Sequence, residues 1–450
     1  RLNPVLPCRW LCGTTGPRVM ETLLLFGSMV IFAVLGVPLV FAILASSVVT
    51  LMIVRPEMPM VLVTQMFMNG MDQFLLLAIA FFFLAGELMN RGGITRRIVD
   101  FASALVGHFK GGLAQVNVVS SLFFSGISGS AVADTAAVGS VMIPSMKRKG
   151  YSAGFAAAIT QCSSVVGPII PPSIPIIVYA VLAEQSVGAM FLAGIVPGIL
   201  IGLCLMTAVA IIARRRDFES SARVPMGDVV RTGAQASVAL LTPVIIVGGI
   251  LGGVMTATEA GAMACLYAFL TGAFYFRELD VRGFYTGLVQ AAQGTAMILV
   301  IVGASTLFAW IVADLRLSKA VGDAIFAVSE NPLIFLLLVN IFVLIIGLFL
   351  DPLAALVILV PLLLPNAVEM GISPVHFGIV IVFNLMISLT TPPVGYLIYL
   401  SAHIAKERPE RVMRESLPFV AALFVALILL TYVPFLTTFL PDFFASTGAS

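Results

Sequence analysis

Long apolar runs, too long and too unbroken for a soluble core, dominate the chain. Examples are Leu23–Val54, Phe74–Leu88 and Leu417–Thr431. Hydrophobic residues make up 60% of the 450-residue sequence and charged residues only 10%, whereas soluble domains carry about 25% charged residues. A membrane-spanning segment must pair its backbone groups internally, as helices and closed barrels do. Barrel strands alternate polar and apolar residues, so these unbroken runs predict an all-α polytopic membrane protein.

Basic residues cluster between the apolar runs and indicate the orientation of the spans. Examples are Lys147–Lys149, Arg214–Arg216 and Lys406–Arg414, and the positive-inside rule places such loops in the cytoplasm. The net charge is only +2, which gives no sign of nucleic-acid binding. Residues 1–19 are irregular and precede Met20, which an apolar run follows, so they are expected to be an upstream or non-native tail.

A re-entrant helical hairpin is predicted at about residues 113–147. Only 36 mostly apolar residues (147 − 110 − 1) separate two lysines on the cytoplasmic side, Lys110 and Lys147, and two complete spans need about 40 residues plus a turn. Two arms of about 15 residues, about 22 Å each, reach mid-membrane and return. The polar turn Ser125–Ser130 lies near the middle. Two short complete spans are the alternative, but they would place this turn outside the membrane.

A broken spanning helix is predicted next, at about residues 153–182. Gly167-Pro168 and Pro171-Pro172 interrupt its apolar run, and consecutive prolines remove hydrogen-bond donors and clash with the preceding turn. The following span, Met190–Ala213, returns to the basic cluster at Arg214. Residues 20–216 therefore form a first structural unit.

The second half, residues 237–441, repeats this order in the opposite orientation after a cytoplasmic linker at 217–236. A hairpin is predicted at about 333–366 and a broken helix at about 375–402, where Pro392-Pro393 matches Pro171-Pro172 with an offset of 221 (392 − 171). Asp351 matches Asp134 with an offset of 217 (351 − 134), and we pair these two carboxylates. Two halves of opposite orientation form an inverted-topology repeat, the architecture of secondary transporters. Residues 442–450 are expected to be a C-terminal tail.

The hairpins and broken helices are expected to move as one transport unit. The expected scaffold comprises the spans Leu23–Val54, Met190–Ala213, Val238–Phe276 and Leu417–Leu440, and the connecting arms are the amphipathic segments Ile94–Phe109 and Leu315–Val328. Leu23–Val54 is interpreted as two spans separated at Gly36 and Pro38, with one long tilted helix as the alternative.

Four motifs carry a resemblance to a known family. They are Ser-Gly-Ile-Ser-Gly-Ser from Ser125 with Asp-Thr-Ala from Asp134, Gly-Pro-Ile-Ile-Pro-Pro-Ser from Gly167, Gly-Leu-Phe-Leu-Asp-Pro from Gly347 and Thr-Thr-Pro-Pro-Val-Gly from Thr390. In this order they resemble the large membrane (M) subunit of TRAP transporters, the tripartite ATP-independent periplasmic transporters of the DctM/SiaM type. The resemblance implies a sodium-coupled, elevator-type importer of small organic acid anions in the bacterial inner membrane, with Na⁺ but no organic cofactor. It also implies two protein partners, a small membrane subunit (Q type) and a periplasmic substrate-binding protein (P type).

Hairpin tips and broken-helix centres expose backbone groups without intrahelical partners, so they are the candidate sites. Oxygen atoms suit the hard cation sodium, and helix N-termini attract anions. Candidate sodium ligands are Ser125, Gly126, Ser128, Ser130, Asp134, Ser163, Ser164, Gly167 and Pro168 in a first site and Gly347, Asp351, Asn384, Ser388, Thr390 and Thr391 in a second. Candidate substrate contacts are Ser128, Ser130, Pro171, Pro172, Ser173, Pro392 and Pro393. For the two aspartates, helix capping is the alternative role, although a carboxylate within an apolar segment marks a functional site by default.

An enzyme is not expected. An intramembrane serine protease needs a histidine or lysine base at the depth of its serine, and no such residue accompanies Ser125–Ser130 in the sequence. The phosphate-binding motif Gly-x-x-x-x-Gly-Lys-Ser/Thr does not occur either. The alternative functions are a self-sufficient sodium/dicarboxylate-type carrier and an ion channel. No intramembrane arginine indicates a carboxylate clamp, so the sequence leaves the transported acid open.

Overall fold

The computed structural model describes residues 19–216, 218, 223–326 and 331–446. The predicted tail 1–19 lies outside them except for Val19, where the first helix begins. The first ten helices are α1 (Val19–Val34), α2 (Leu39–Val54), α3 (Val61–Met71), α4 (Phe74–Arg91), α5 (Ile94–Val106), α6 (Gly112–Ser128), α7 (Ala131–Arg148), α8 (Ala153–Ser164), α9 (Ile174–Leu182) and α10 (Val187–Arg216).

The second ten helices follow the same general order. They are α11 (Met226–Leu251), α12 (Ala257–Leu270, extended by a π-helical turn at Thr271–Tyr275), α13 (Val281–Asp314), α14 (Leu317–Phe326), α15 (Pro332–Phe349), α16 (Pro352–Glu369), α17 (Pro374–Ser388), α18 (Tyr396–Ala405), α19 (Pro409–Tyr432) and α20 (Phe435–Ser446). Seven described helices (α4, α10, α11, α13, α15, α16 and α19) are long and apolar enough to cross a membrane. The predicted all-α polytopic class is confirmed.

The N-terminal apolar run folds as two helices rather than one. Each of α1 and α2 has 16 residues, and Gly36 between them adopts φ +84°, a left-handed conformation that glycine tolerates without steric cost. Arg55, after α2, forms an ion pair with Asp314 at the end of α13 (Nε to Oδ2, 3.1 Å). The end of α2 therefore lies beside the end of α13. Because α1 and α2 are separate helices that pack against each other, the run is not a single tilted helix.

Both predicted hairpin segments are pairs of helices joined by a very short turn. In the first, α6 ends at Ser128. Its C-cap Gly129, with a φ of +60°, reverses the chain, and Ser130 is the N-cap of α7. In the second, Leu350 and Asp351 join α15 to α16, and Asp351 is the N-cap. How deep the two turns lie in a bilayer, and thus the re-entrant topology, stays a prediction.

Both predicted broken helices are interrupted where the paired prolines occur. Residues 165–173 separate α8 from α9, and residues 389–395 separate α17 from α18. The peptide bonds Pro171-Pro172 and Pro392-Pro393 are both cis. Each interruption exposes backbone groups at the C-terminus of one half-helix and the N-terminus of the other.

A nearly constant offset in residue number relates the two halves. The first residues of α15, α16, α17 and α18 are offset from those of α6, α7, α8 and α9 by 220, 221, 221 and 222 (332 − 112, 352 − 131, 374 − 153 and 396 − 174). The counterpart of Asp351 is then Ser130 (351 − 130 = 221), since both are N-caps. Our pairing of Asp134 with Asp351 is therefore wrong by one helical turn, because Asp134 lies inside α7.

The packing groups the helices differently from the expected scaffold. Helices α10 and α19, which we assigned to it, both contact the hairpins and broken helices, with α10 against α6, α9 and α17 and α19 mainly against α8. Helix α10 packs even more extensively against α19 and α20. The backbone of Gly194 in α10 touches the carbonyl oxygen of Ile169, and Gly198 touches the Ile170 side chain. By contrast, α4 packs against α12 and α13, and α13 against α2 and α3. Helices α1–α4 and α11–α13 thus form one group, and α6–α10 with α15–α19 form another.

The segments predicted as the cytoplasmic linker and the C-terminal tail are partly helical. Helix α11 begins at Met226, within the predicted linker 217–236, and α20 crosses the predicted start of the C-terminal tail at residue 442. Of the linker residues, 217 and 219–222 lie outside the described part of the chain, as do 447–450 of the tail. The segments predicted as arms contain helices α5 and α14.

Candidate functional site

A cavity of about 650 Å³ lies between the turns of the two helix pairs. The first turn contributes Gly129–Val132 and the second contributes Gly347–Leu353. The broken helices contribute Pro168, Ile174, Pro175, Met386, Ser388, Leu389, Val394, Gly395, Tyr396 and Tyr399. Phe83 of α4 and Met297 of α13 close the cavity from the other helix group. Each half of the chain therefore supplies one turn and one broken helix to a shared cavity.

Four helix N-termini meet at this cavity. The first residues of α7 (Ala131), α9 (Ile174), α16 (Pro352) and α18 (Tyr396) all line it. Each N-terminus carries the positive end of a helix dipole. At α16 the first residue is Pro352, which has no N–H, and Asp351 accepts from the next two N–H groups. Gly395 gives α18 no side-chain cap. The lining contains one ionisable acid, Asp351, and no lysine, arginine or histidine, so helix dipoles are the source of positive charge that the lining offers to an anion.

Five of the residues predicted for the sites line the cavity. They are Ser130, Pro168, Gly347, Asp351 and Ser388. The carboxylate of Asp351 accepts hydrogen bonds from the backbone N–H groups of Leu353 (3.0 Å) and Ala354 (3.5 Å). Asp351 is thus a helix cap, which is one of the two roles weighed from the sequence. Its exposed position in the cavity is also compatible with the other role, sodium coordination.

Asp134 lies at the centre of a buried polar group behind the first turn. Its side chain is fully buried, and one carboxylate oxygen, Oδ1, accepts a hydrogen bond from the Ser128 hydroxyl. The other oxygen, Oδ2, has no hydrogen-bond partner among the described residues. Gly167 of the broken helix lies directly against it, because a Cβ on Gly167 would stand 2.6 Å from Oδ2. Asp134 does not cap α7, so a structural capping role does not account for it.

The remaining candidates of the first site fall into two groups. The hydroxyls of Ser125 and Ser164 donate to the backbone carbonyls of Ser121 (2.5 Å) and Thr160 (2.8 Å), a common arrangement for serine within a helix. Ser163 lies 2.8 Å from the Ser121 hydroxyl, across the interface between α8 and α6. Gly126 packs against Pro243 of α11.

The second candidate site is only partly brought together. Gly347 of α15 touches the Ser388 hydroxyl at the end of α17. Asn384 is fully buried, and its amide nitrogen donates to the Asn340 carbonyl (2.8 Å) and side-chain oxygen (2.9 Å). The hydroxyls of Thr390 and Thr391 both donate to the Ile387 carbonyl, and neither threonine lines the cavity.

Most of the predicted substrate contacts support the wall instead of lining it. The backbones of Gly126 and Gly129 pack against the carbonyl groups of Pro171 and Pro172. The Ser173 hydroxyl caps α9 by accepting from the Ile176 N–H (3.2 Å). Pro392 and Pro393 are also absent from the lining, and the Pro393 carbonyl accepts from Tyr399 (3.1 Å).

Most side chains in the lining were not predicted, and four of the large ones illustrate why. Phe83, Met297, Tyr396 and Tyr399 all occur within apolar segments, where no motif distinguishes a cavity residue from a lipid-facing one. The offset between the Pro-Pro pairs could have indicated Tyr396, because it lies just after the second break. Phe83 and Met297 depend on how two helix groups meet, which the sequence pattern does not encode locally.

Comparison with known proteins shows the family of the chain. The family model described as "Tripartite ATP-independent periplasmic transporter, DctM component" matches residues 26–436. The Vibrio cholerae sialic acid TRAP transporter large permease protein SiaM is 41% identical over 384 residues, which are 85% of this chain and 90% of SiaM. The Pseudomonas aeruginosa C4-dicarboxylate TRAP transporter large permease protein DctM is 38% identical over 397 residues, 88% of this chain and 93% of DctM.

A solved structure shares the fold. The structural match to the Alcanivorax borkumensis YdaH transporter covers 82% of this chain and 86% of the YdaH chain, with a TM-score of 0.60 at 16% sequence identity. Both relatives above are named as permease proteins, so the chain is a transporter subunit and not an enzyme. With seven helices suited to span a membrane, it is a multi-pass protein of the bacterial inner membrane. The chain therefore belongs to the DctM component family of the tripartite ATP-independent periplasmic transporters.

Proposed function

We propose that this chain is the large permease subunit of a sodium-coupled importer of small organic acid anions. In this proposal it works with a small membrane subunit and a soluble periplasmic protein that delivers the substrate. The observation that carries the proposal is the meeting of four helix N-termini at one cavity without a basic side chain. Helix N-termini stabilise carboxylates through their N–H groups and dipoles. The names of the two relatives, which refer to sialic acid and to C4-dicarboxylates, support an organic acid as cargo.

The buried group around Asp134 supports sodium coupling. A fully buried carboxylate with one unpartnered oxygen is costly in a membrane protein unless a cation or a proton neutralises it. The Ser128 hydroxyl supplies a further oxygen atom beside it, and the Ser164 carbonyl oxygen lies close to Gly167, which abuts Asp134. Hard cations such as sodium prefer oxygen ligands, and no organic cofactor is needed for this chemistry.

Two observations support an elevator mechanism built on an inverted repeat. The nearly constant offset between equivalent helices of the two halves is what a duplicated unit produces. The end of α6 meets α4 and α11 at two glycines, with Gly86 of α4 against the Ile127 carbonyl and Gly126 of α6 against Pro243 of α11. Small residues at such a contact permit close approach, and they leave few side chains to interlock when one helix group slides along the other. We assign α6–α10 and α15–α19 to the mobile unit.

The test is uptake into proteoliposomes. A ligand screen of the cognate soluble binding protein first identifies the acid, which is then supplied in labelled form. We expect uptake only when the chain, its small subunit, the loaded binding protein and an inward sodium gradient are all present. An inward potassium gradient should give none. Saturation and a fixed ratio of sodium to substrate would separate a carrier from a channel.

Two outcomes would overturn parts of the proposal. Robust sodium-driven uptake of the free acid by the chain alone would replace the tripartite proposal with a self-sufficient carrier. Uptake that is unaffected by sodium would overturn the coupling. A useful pair of variants is Ser130→Ala, in the cavity, and Ser46→Ala, a fully buried serine of α2 whose hydroxyl bonds the Ile43 carbonyl. Only the first should reduce uptake.

A further inference from the structure

Polar side chains that the transport site does not use form a buried seam between α6 and α8. On α6 they are Asn117, Ser120 and Ser121, and the facing residue of α8 is Thr160. All four are fully buried. On an α-helix of 3.6 residues per turn, positions 117, 120, 121, 125 and 128 lie on one side. The seam therefore continues along α6 to Ser125 and Ser128.

Direct hydrogen bonds connect the seam from Asn117 to Ser125. The Asn117 amide nitrogen donates to the Thr160 hydroxyl at 2.7 Å. The Ser163 hydroxyl lies 3.3 Å from the Asn117 amide oxygen and 2.8 Å from the Ser121 hydroxyl. The chain of bonds then passes from Ser121 to Ser125 through the Ser121 carbonyl. One helical turn further along α6, Ser128 donates to Asp134 in a separate bond.

Unpartnered atoms flank this chain. The Ser120 hydroxyl and the Asp134 oxygen Oδ2 are buried and have no hydrogen-bond partner within the described part of the chain. A buried polar atom without a partner costs about 1–3 kcal/mol, so both positions favour the entry of water or an ion. The other seam groups satisfy one another, which lets the seam stay closed when it is dry.

The position of the seam gives it a direction. Asn117 lies five residues, or about 8 Å, from the start of α6, and Ser128 lies sixteen residues, or about 24 Å, from it. The start of α6 follows Lys110, on the side that the basic residues assign to the cytoplasm. The seam thus extends from near the cytoplasmic surface to the buried carboxylate.

We propose that the α6–α8 seam is the route by which the coupling cation passes between Asp134 and the cytoplasm, with Asn117, Ser121 and Thr160 as transient oxygen ligands. This rests on the sodium coupling proposed above. The three residues offer neutral oxygens only, and several weak neutral sites in a row let a cation leave where a second carboxylate would hold it. Opening requires the side-chain bonds of the seam to be exchanged for bonds to water and the ion.

Silver ion is a suitable probe, because it is monovalent, close to sodium in size and reacts with thiols. The S–H bond breaks, an S–Ag bond forms and the proton goes to water. We would replace the native cysteines and introduce Ser121→Cys, with Ser401→Cys as the matched control. Ser401 is also a fully buried helical serine, but it lies on α18, with its hydroxyl bonded to the Ile398 carbonyl.

Inside-out vesicles that contain the chain with its small subunit would be exposed to silver nitrate, and unreacted thiols would be counted with a maleimide after denaturation. We expect Ser121→Cys to react at least tenfold faster than Ser401→Cys, and sodium nitrate to slow it at least threefold relative to potassium nitrate. Adding Asn117→Leu, or Thr160→Val if the first variant does not fold, should slow the Ser121→Cys reaction at least tenfold.

Equal rates for the two cysteines would overturn the route. If sodium-dependent uptake persisted in that case, the proposed function would stand without it. A large difference in rate without any sodium effect would show a seam open to water and cations but not used by sodium, and would also overturn the proposal. Loss of sodium-dependent uptake with the rate difference intact would instead point to failure of the proposed function.

Discussion

Asp134 and Gly167 are in contact across the interface between α7 and the first helix break, and the contact exists only because residue 167 has no side chain. A Cβ at this position would lie 2.6 Å from the Asp134 oxygen Oδ2, closer than a Cβ atom approaches an atom to which it is not bonded. That oxygen is also the one without a hydrogen-bond partner in the described structure. The space beside it is therefore defined by the backbone of the broken helix.

Gly167→Ala should displace the Asp134 carboxylate and weaken sodium binding at least tenfold. In the intact protein, sodium at ten times its dissociation constant stabilises the folded state by about 1.4 kcal/mol. At the same sodium concentration a tenfold weaker site gives only about 0.4 kcal/mol, so we expect the sodium-dependent rise in melting temperature to fall to about a third or less in the variant. The control is Gly248→Ala on α11, where an added Cβ meets no atom within 4 Å. Unchanged sodium stabilisation in Gly167→Ala would contradict a cation site at Asp134.

Asp351 offers a way to separate capping from cation binding. Asparagine caps helices about as well as aspartate, whereas alanine at an N-cap costs about 1 kcal/mol. Because Asp351 caps α16 through Leu353 and Ala354, Asp351→Asn should keep the melting temperature in potassium buffer, and Asp351→Ala should lower it. If the carboxylate also serves the cation, both variants should lose sodium activation of uptake. Normal sodium activation in Asp351→Asn would leave Asp351 as a cap alone.

Gly86 provides a test of sliding between the helix groups. A Cβ on Gly86 of α4 would meet the Ile127 carbonyl at 3.4 Å and the Ser128 Cα at 3.5 Å, so the two further methyl groups of valine would project into this contact. We expect Gly86→Val to reduce uptake at least tenfold while sodium stabilisation is retained. Gly27→Val on α1, where an added Cβ meets nothing within 4 Å, carries the same cost in helix propensity and should transport normally. Full uptake by Gly86→Val would argue against movement along α4.

The Arg55–Asp314 ion pair should contribute little to stability despite its good geometry. The two side chains are 29% and 25% exposed to solvent, and partly exposed ion pairs typically contribute up to about 1 kcal/mol to stability. A double-mutant cycle with Arg55→Ala and Asp314→Ala, followed by thermal unfolding at low and high salt, measures the coupling. A coupling above about 2 kcal/mol, beyond the usual range for exposed pairs, would show that this pair, and not apolar packing, holds α2 to α13.

The sequence predicted the fold better than the site, for a physical reason. Prolines and glycines interrupt helices locally, so the breaks after Ser164 and Ser388 and the turn at Gly129 could be located from residue types alone. Which helices pack together depends on close contacts such as Gly194 with Ile169, and this is why the sequence could not show that α10 packs on the first broken helix. The pairing of Asp134 with Asp351 failed because α16 has prolines at both 361 and 365, and only Pro365 keeps the register of the helix starts with Pro144.

Because the lining has no basic side chain, the attraction that it offers to an anion comes from helix dipoles, and substitution of side chains cannot readily remove it. Changes at Phe83, Met297, Tyr396 or Tyr399 would alter the shape and polarity of the cavity while the backbone dipoles keep their sign. Such an arrangement separates the evolution of cargo identity from the evolution of cargo charge. Gene duplication followed by drift in the lining would yield carriers for new acids, whereas a switch to cationic cargo would require a different backbone.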